Sequence, residues 1–164
     1  ILAVGKYYKA KGLDVLLKSA QYLKDFSITI VGKDHAFKGF NVPKNVQVTD
    51  HVSDETLINL FLKSELFFIF SEFDPSPHVL WEAQACGCVV IGYDAYGISE
   101  AVIDGKTGIL LKTRDPKLVA EEIRKLYRDR TMLERMRQAA IENFNKNGTW
   151  DLVSKKIAKS LVIT

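Results

Sequence analysis

Ser71-Glu-Phe-Asp-Pro-Ser-Pro-His-Val-Leu-Trp-Glu82-Ala-Gln-Ala-Cys-Gly-Cys-Val-Val-Ile-Gly92 decides the fold of this chain. An apolar strand, Leu66-Phe-Phe-Ile-Phe70, leads into it, and the apolar run Cys88–Gly92 leads out. Between them lies a helical pattern, Pro77–Cys86. Pro77 pushes Ser76 towards the extended conformation that a helix N-cap residue needs, and Pro77 itself suits the first helical position. The helix therefore starts at about Pro77, with its unpaired N–H groups and positive dipole end facing outward beside Asp74, an arrangement that suits a phosphate group. Glu82 stands eight residues after Asp74, a turn and a half into the helix.

Outward from this stretch the chain alternates. Strands read at Ile1–Gly5, Ser27–Gly32, Val46–Thr49, Leu66–Phe70, Cys88–Gly92 and Ile109–Leu111, and helices at about Gly12–Lys24, Ser53–Ser64, Pro77–Cys86 and Ile98–Ile103. This is the pattern of an α/β, Rossmann-like, doubly wound parallel sheet with right-handed crossovers. The near-continuous apolar strands Ile28–Val31 and Leu66–Phe70 fit strands covered on both faces. After Pro116 the chain turns helical, at Lys117–Asp129, Thr131–Phe144 and Thr149–Val162, with Asn147-Gly148 as the stop before the last helix.

Composition sets bounds. A chain of 164 residues that is 47% hydrophobic and 26% charged holds one core and is too short for two full α/β domains. No apolar run reaches the roughly 18–20 residues of a membrane span, and the apolar start lacks the marks of a leader. Cys86 and Cys88 flank one glycine at a helix-to-strand turn, where bridging geometry is rare, and read as buried thiols of a reducing cytosol. Three histidines without clustered carboxylates speak against a protein-held metal. Trp81 and Trp150 read as core packing.

In open α/β sheets, ligands gather outside the carboxyl ends of the strands. Gly5-Lys6, Gly32-Lys-Asp-His35, Asp50-His51, Ser71–Ser76 and Gly92–Gly97 all follow strands directly, so the reactive side chains share one edge. Neither His35 nor His51 reads as catalytic.

The spacing from Asp74 to Glu82-Ala-Gln-Ala-Cys-Gly87 resembles the donor-site motif of the retaining GT-B glycosyltransferases of the group 1 type, an acid, seven residues and then Glu-Ala-x-Ala-x-Gly. The likeness extends through Val4-Gly5-Lys6 with Lys11-Gly12, Ile30-Val31-Gly32, Val52–Leu57, Gly97-Ile-Ser-Glu100 and Asp104-Gly-Lys-Thr-Gly108, in the family's order. It departs at two positions, since the family usually has Glu where Asp74 stands and Arg where Lys6 stands. The resemblance implies a nucleotide-diphosphate sugar, a UDP- or GDP-hexose, as donor. It places Lys6 and Lys11 on the diphosphate beside Gly5, Asp74 on the sugar hydroxyls, and Glu82 on the ribose. The helix start, Ser76, Pro77, His78 and Val79, then contacts phosphate or sugar through its backbone. Lys6, Lys11 and Asp74 are the implied catalytic residues, with no metal and no other cofactor.

The resemblance covers only the donor-binding, C-terminal half of such enzymes. With Ile1 opening inside the first strand, residues 1–164 are expected to be a single nucleotide-sugar-binding domain of a longer cytoplasmic enzyme, inactive alone, whose N-terminal domain holds the acceptor. The alternative is a non-catalytic nucleotide-sugar-binding module, motivated by the departures at Lys6 and Asp74. A receiver-like signalling domain is disfavoured, because Gly5-Lys6 and Gly92-Tyr93 lack its acidic cluster and lysine. Charge is uneven: residues 117–164 hold 11 Lys/Arg against 6 Asp/Glu, a net of +5, and residues 1–116 hold 12 against 14, a net of −2. The basic tail reads first as solvated helix faces, with contact to an anionic membrane surface as the alternative. No aromatic-interleaved basic stripe supports nucleic acid.

Overall fold

The computed structural model describes residues 1–5, 9–32, 41–75 and 77–148. Lys6, His35, Ser76, Trp150 and the expected helix Thr149–Val162 lie outside the described residues. The elements in chain order are β1 (Leu2–Val4), α1 (Leu13–Ala20), β2 (Ile28–Val31), β3 (Val46–Thr49), α2 (Asp54–Lys63), β4 (Leu66–Ile69), α3 (His78–Ala85), β5 (Val89–Tyr93), α4 (Tyr96–Ala101), β6 (Gly108–Leu111), α5 (Pro116–Arg128) and α6 (Arg130–Asn143), closed by a π-helical turn at Phe144–Gly148. The strands pair in parallel in the order β3-β2-β1-β4-β5-β6.

Alternation along β4 shows how the sheet is covered. Leu66, Phe68 and Phe70 point into one core with Leu13, Leu16 and Leu17 of α1 and Val119, Ile123 and Leu126 of α5. Phe67 and Ile69 point into the other with Phe61 of α2, Leu80 and Ala83 of α3, and Ile98 of α4. Successive side chains of a strand leave on opposite faces, so a strand buried on both sides has to be apolar throughout. All four residues of β4 are buried, and each such phenylalanine contributes about 1.5–3 kcal/mol relative to exposure.

Helix starts follow from side-chain caps. Ser53 accepts from the Thr56 N–H at 3.3 Å, Asp115 from those of Lys117 and Leu118 at 2.9 and 3.0 Å, and Asp129 from that of Met132 at 2.8 Å. Satisfying these otherwise orphaned donors fixes where each helix begins. α3 differs from its sequence reading. Its N-cap is Pro77 rather than Ser76, with ψ 90° and no side-chain cap, and His78 is the first helical residue. With ψ out of the helical range, Pro77 enters the helix only through its carbonyl, which accepts from the Leu80 N–H at 3.0 Å.

Helix α6 passes from one face to the other. Leu133 and Met136 belong to the first core, whereas Asn143, near its end, lies in a buried polar network on the second. Asn143 Nδ2 donates to Gln84 Oε1 at 2.8 Å and to the Ala101 carbonyl at 3.0 Å, and Gln84 Nε2 donates to the same carbonyl at 3.1 Å. At Asn147-Gly148, expected as a stop, the chain instead continues α6 as a π turn, with Asn147 Nδ2 bonded to Asn143 Oδ1 at 3.0 Å. The outer face of α1 is tied to α5 by Arg124, whose guanidinium donates to the Tyr22 carbonyl and to the Asp25 carboxylate. That hydrogen bond holds the Asp25 carboxyl below its ordinary range. Arg130 pairs likewise with Glu65, so part of the basic C-terminal charge is spent within the fold. Among the described residues no helix is long and apolar enough to cross a membrane.

The cysteines are both free. Cys88 is buried as expected, its Sγ donating to the Phe61 and Ser64 carbonyls at 3.3 and 3.4 Å, and burial pushes its thiol up to about 12. Cys86 is only partly buried; burial and then the Glu82 carboxylate raise its thiol.

Replacing Gln84 by Leu removes both of its bonds and leaves Asn143 short of an acceptor. We expect a loss of about 1–3 kcal/mol in unfolding free energy, the cost of stranding a buried polar group, measured by urea denaturation; an unchanged midpoint would show that the network adds nothing.

Candidate functional site

The strand order contains one switch point, between β1 and β4. α1, which follows β1, packs on the face shared with α5; α3, which follows β4, packs on the opposite face with α2 and α4. The loops leaving these adjacent strands part, and the crevice between them is where open α/β sheets place ligands.

Both loops are fixed by contact with each other. Gly12, the N-cap of α1, has φ 69°, and its backbone lies against Phe70 Cβ and the Phe70 carbonyl, leaving no room for a β-carbon. The preceding residue then reaches across the crevice. Lys11 Nζ sits 2.5 Å from Asp74 Oδ2, a pair joined over 63 residues of sequence, with the side chains 31% and 13% exposed. The Lys11 stem lies over Gly5 at the end of β1, where an added β-carbon would be 2.9 Å from Lys11 Cγ.

Three further contacts shape the rim. Gly97 in α4 packs on the Asp74–Pro75 backbone, where a β-carbon would fall 2.5 Å from the Pro75 carbonyl oxygen and 2.8 Å from that of Asp74. Beside it, Tyr96 meets Phe73 edge to face at 5.0 Å and 72°. Arg114, after β6, donates to the Phe70 carbonyl at 3.0 Å, pairs with Glu72 at 3.4 Å, and lies 5.3 Å from the centre of the Tyr93 ring. Arg114, Phe73 and Tyr96 are absent from the sequence reading. Each nevertheless sits in a loop directly after a strand, the signal that marks the other edge residues.

The structure therefore brings Gly5, Lys11 and Asp74 together. Pro77 is buried at the start of α3, and His78 and Val79 form its first turn, whose N–H groups a helix cannot satisfy internally. Glu82 is exposed and makes no hydrogen bond or ion pair with any described residue. The sequence reading treated Glu82 as a carboxylate stranded on an apolar helix; exposure removes that penalty, and no salt bridge to a neighbouring helix occupies it. His51 is exposed in the loop after β3. Lys6 and Ser76 lie outside the described residues, among which no group of three or more His, Cys, Asp and Glu is gathered for a metal ion.

Residues 1–143 match the family described as "Glycosyl transferases group 1". The chain is 31% identical over 144 residues to the D-inositol 3-phosphate glycosyltransferase of Paenarthrobacter aurescens, covering 79% of this chain and 35% of the relative. It superimposes on the pneumococcal O-GlcNAc transferase GtfA, solved with UDP and GlcNAc, with a TM-score of 0.78 at 21% identity over 99% of this chain and 36% of that one. It also superimposes on the C-terminal domain of a glycosyl transferase group 1 family protein from Francisella tularensis, with a TM-score of 0.77 at 16% identity, covering 91% of this chain and 86% of that one. The chain spans 34–40% of the length of the first curated relatives it matches.

Replacing Gly97 by Ala drives a methyl group into the Pro75 carbonyl. The expected result is a loss of about 1–3 kcal/mol of stability, the usual effect of overpacking, read by thermal denaturation; an unaltered melting temperature would show that the Asp74–Pro75 segment yields freely.

Proposed function

This chain belongs to the group 1 glycosyl transferases, and on that premise we propose that it is the donor-binding half of a retaining hexosyltransferase using a UDP- or GDP-activated sugar. The acceptor is held by a separate N-terminal domain of the parent enzyme. The observation that carries the reading is the Lys11–Asp74 pair, 2.5 Å apart at the switch point of the sheet, with the exposed Glu82 on the helix that starts there.

Each residue takes a role that its chemistry fits. A donor diphosphate lies between the loop after β1 and the start of α3. Lys11, together with Lys6, supplies fixed positive charge where negative charge grows as the nucleotide leaves, the electrostatic form of catalysis. The uncapped first turn of α3 offers the His78 and Val79 N–H groups to phosphate, supported by the helix dipole. Glu82, an acceptor-only group, takes the paired hydroxyls of the ribose. Asp74 serves two partners: one oxygen orients the Lys11 ammonium and the other takes a sugar hydroxyl. As a lysine, residue 6 presents a point charge rather than the bidentate fork of an arginine. The chemistry needs no protein-held metal, since lysine ammonium groups and helix N–H donors meet the charge of the leaving group. The UDP in the GtfA structure supports a uridine donor as the first to test.

Two substitutions test the assignment by calorimetry. Lys11→Ala should weaken UDP or GDP binding by about 1.5–3 kcal/mol, the range for hydrogen bonds to charged groups, with little change in stability, because a partly exposed pair contributes little to folding. Glu82→Gln should lower affinity for nucleotides and leave inorganic diphosphate binding unchanged. Undiminished nucleotide affinity in both variants would refute the site.

A further inference from the structure

Phe73 and Tyr96 are 68% and 61% exposed, more than any other large apolar side chain described, the next being Leu62 at 59%. Single exposed apolar residues need no explanation. These two are held together, ring edge to ring face at 5.0 Å, without being covered. Tyr96 also has φ 45°, and it is the one non-glycine among the described residues in the left-handed region, a conformation unfavourable for a bulky side chain. An aromatic ring kept in water on a strained backbone gains little from the fold itself, and such strain collects at functional sites.

The placement of the pair indicates what it meets. Phe73 immediately precedes Asp74, and Tyr96 immediately precedes Gly97, whose backbone is pressed against the Asp74 and Pro75 carbonyls. The two rings are thus fixed to the two segments that hold Asp74, on the ligand-gathering edge of the sheet. A hexopyranose carries hydroxyls around its equator and C–H bonds on its faces. A carboxylate accepts from the equator; an aromatic face, the negative end of its quadrupole, receives polarised C–H bonds. We infer that Phe73 and Tyr96 form an aromatic seat for the hexose ring of the nucleotide-sugar donor, an inference that rests on the donor-site reading above. Asp74 selects hydroxyls, and the ring pair positions the pyranose face without touching the nucleotide.

The test is calorimetry on the 164-residue chain and its Phe73→Leu and Tyr96→Gly variants, with UDP-glucose against UDP and GDP-mannose against GDP. Tyr96→Gly removes the ring while supplying the residue that adopts a positive φ without strain, so its melting temperature should hold or rise. For whichever pair binds, both variants should lose about 3- to 10-fold in sugar-nucleotide affinity and leave the free nucleotide within about twofold. Equal affinities in all three proteins, or an equal fall for nucleotide and sugar nucleotide, would overturn the seat. Loss of saturation transfer to methyl α-glucoside with donor affinity intact would move the rings to the acceptor side and overturn it as well. Failure of the unaltered chain to bind any of the four probes would instead strike the donor-site reading, and this inference with it.

Discussion

Parallel strands cannot be joined by a hairpin, so every connection in this sheet must cross one of its faces, and the crossing is right-handed. Starting from β1, α1 carries the chain over one face to β2. To reach the other side of β1, the chain returns from β3 through α2 on the opposite face. Nothing else in the molecule is needed to make a crevice at β1 and β4. Two adjacent strands whose following helices lie on opposite faces must release their loops in different directions. Lys11 and Asp74 become neighbours for that reason, and Gly12 has to be glycine because the loops part directly above Phe70.

The ion pair in that crevice organises the site more than it stabilises the fold. Its side chains keep partial access to water, and pairs of this kind add at most about 1 kcal/mol. Its effect is geometric: it turns a flexible lysine into a charge at one place. The carboxylate is itself positioned through its backbone, where Gly97 meets the carbonyls of Asp74 and Pro75. The α4 start thereby governs a residue in the loop after β4, although the two share no side-chain hydrogen bond. At the other end of α3, Gln84 and Asn143 fix the helix against α4 and α6, so the direction in which Glu82 projects is set from the far edge of the sheet.

Much of this was legible in the chain itself. The runs Ile28–Val31 and Leu66–Ile69 announced strands covered on both sides because their side chains alternate between two apolar cores. The eight-residue interval from Asp74 to Glu82, with the glycines around it, pointed to the family. What escaped the sequence reading depended on atoms far apart in the chain. The reach of Lys11 to Asp74 depends on the packing of Gly12 against Phe70. The cap of α3 moved by one residue because Pro77 contributes only a carbonyl. Exposure of Glu82 follows from which side of α3 the sheet takes, and an apolar helix sequence with a weak amphipathic pattern does not declare it. Tyr96 showed no local signal of its backbone, since only the close approach of Gly97 forces that turn.

The grip of Arg124 on Tyr22 and Asp25 joins positions 102 and 99 residues apart. Helix α1 is made early, yet its outer cover, α5, is among the last elements made. Chains emerge amino end first, so the face of the sheet that carries Phe68 and Phe70 lacks its second helix through most of synthesis. Contacts of such sequence separation form late and slowly. During that interval Leu13, Leu16 and Leu17 have only the strands to shelter them, and any ribosomal product that stops short of Pro116 keeps an apolar flank open to water and to other chains.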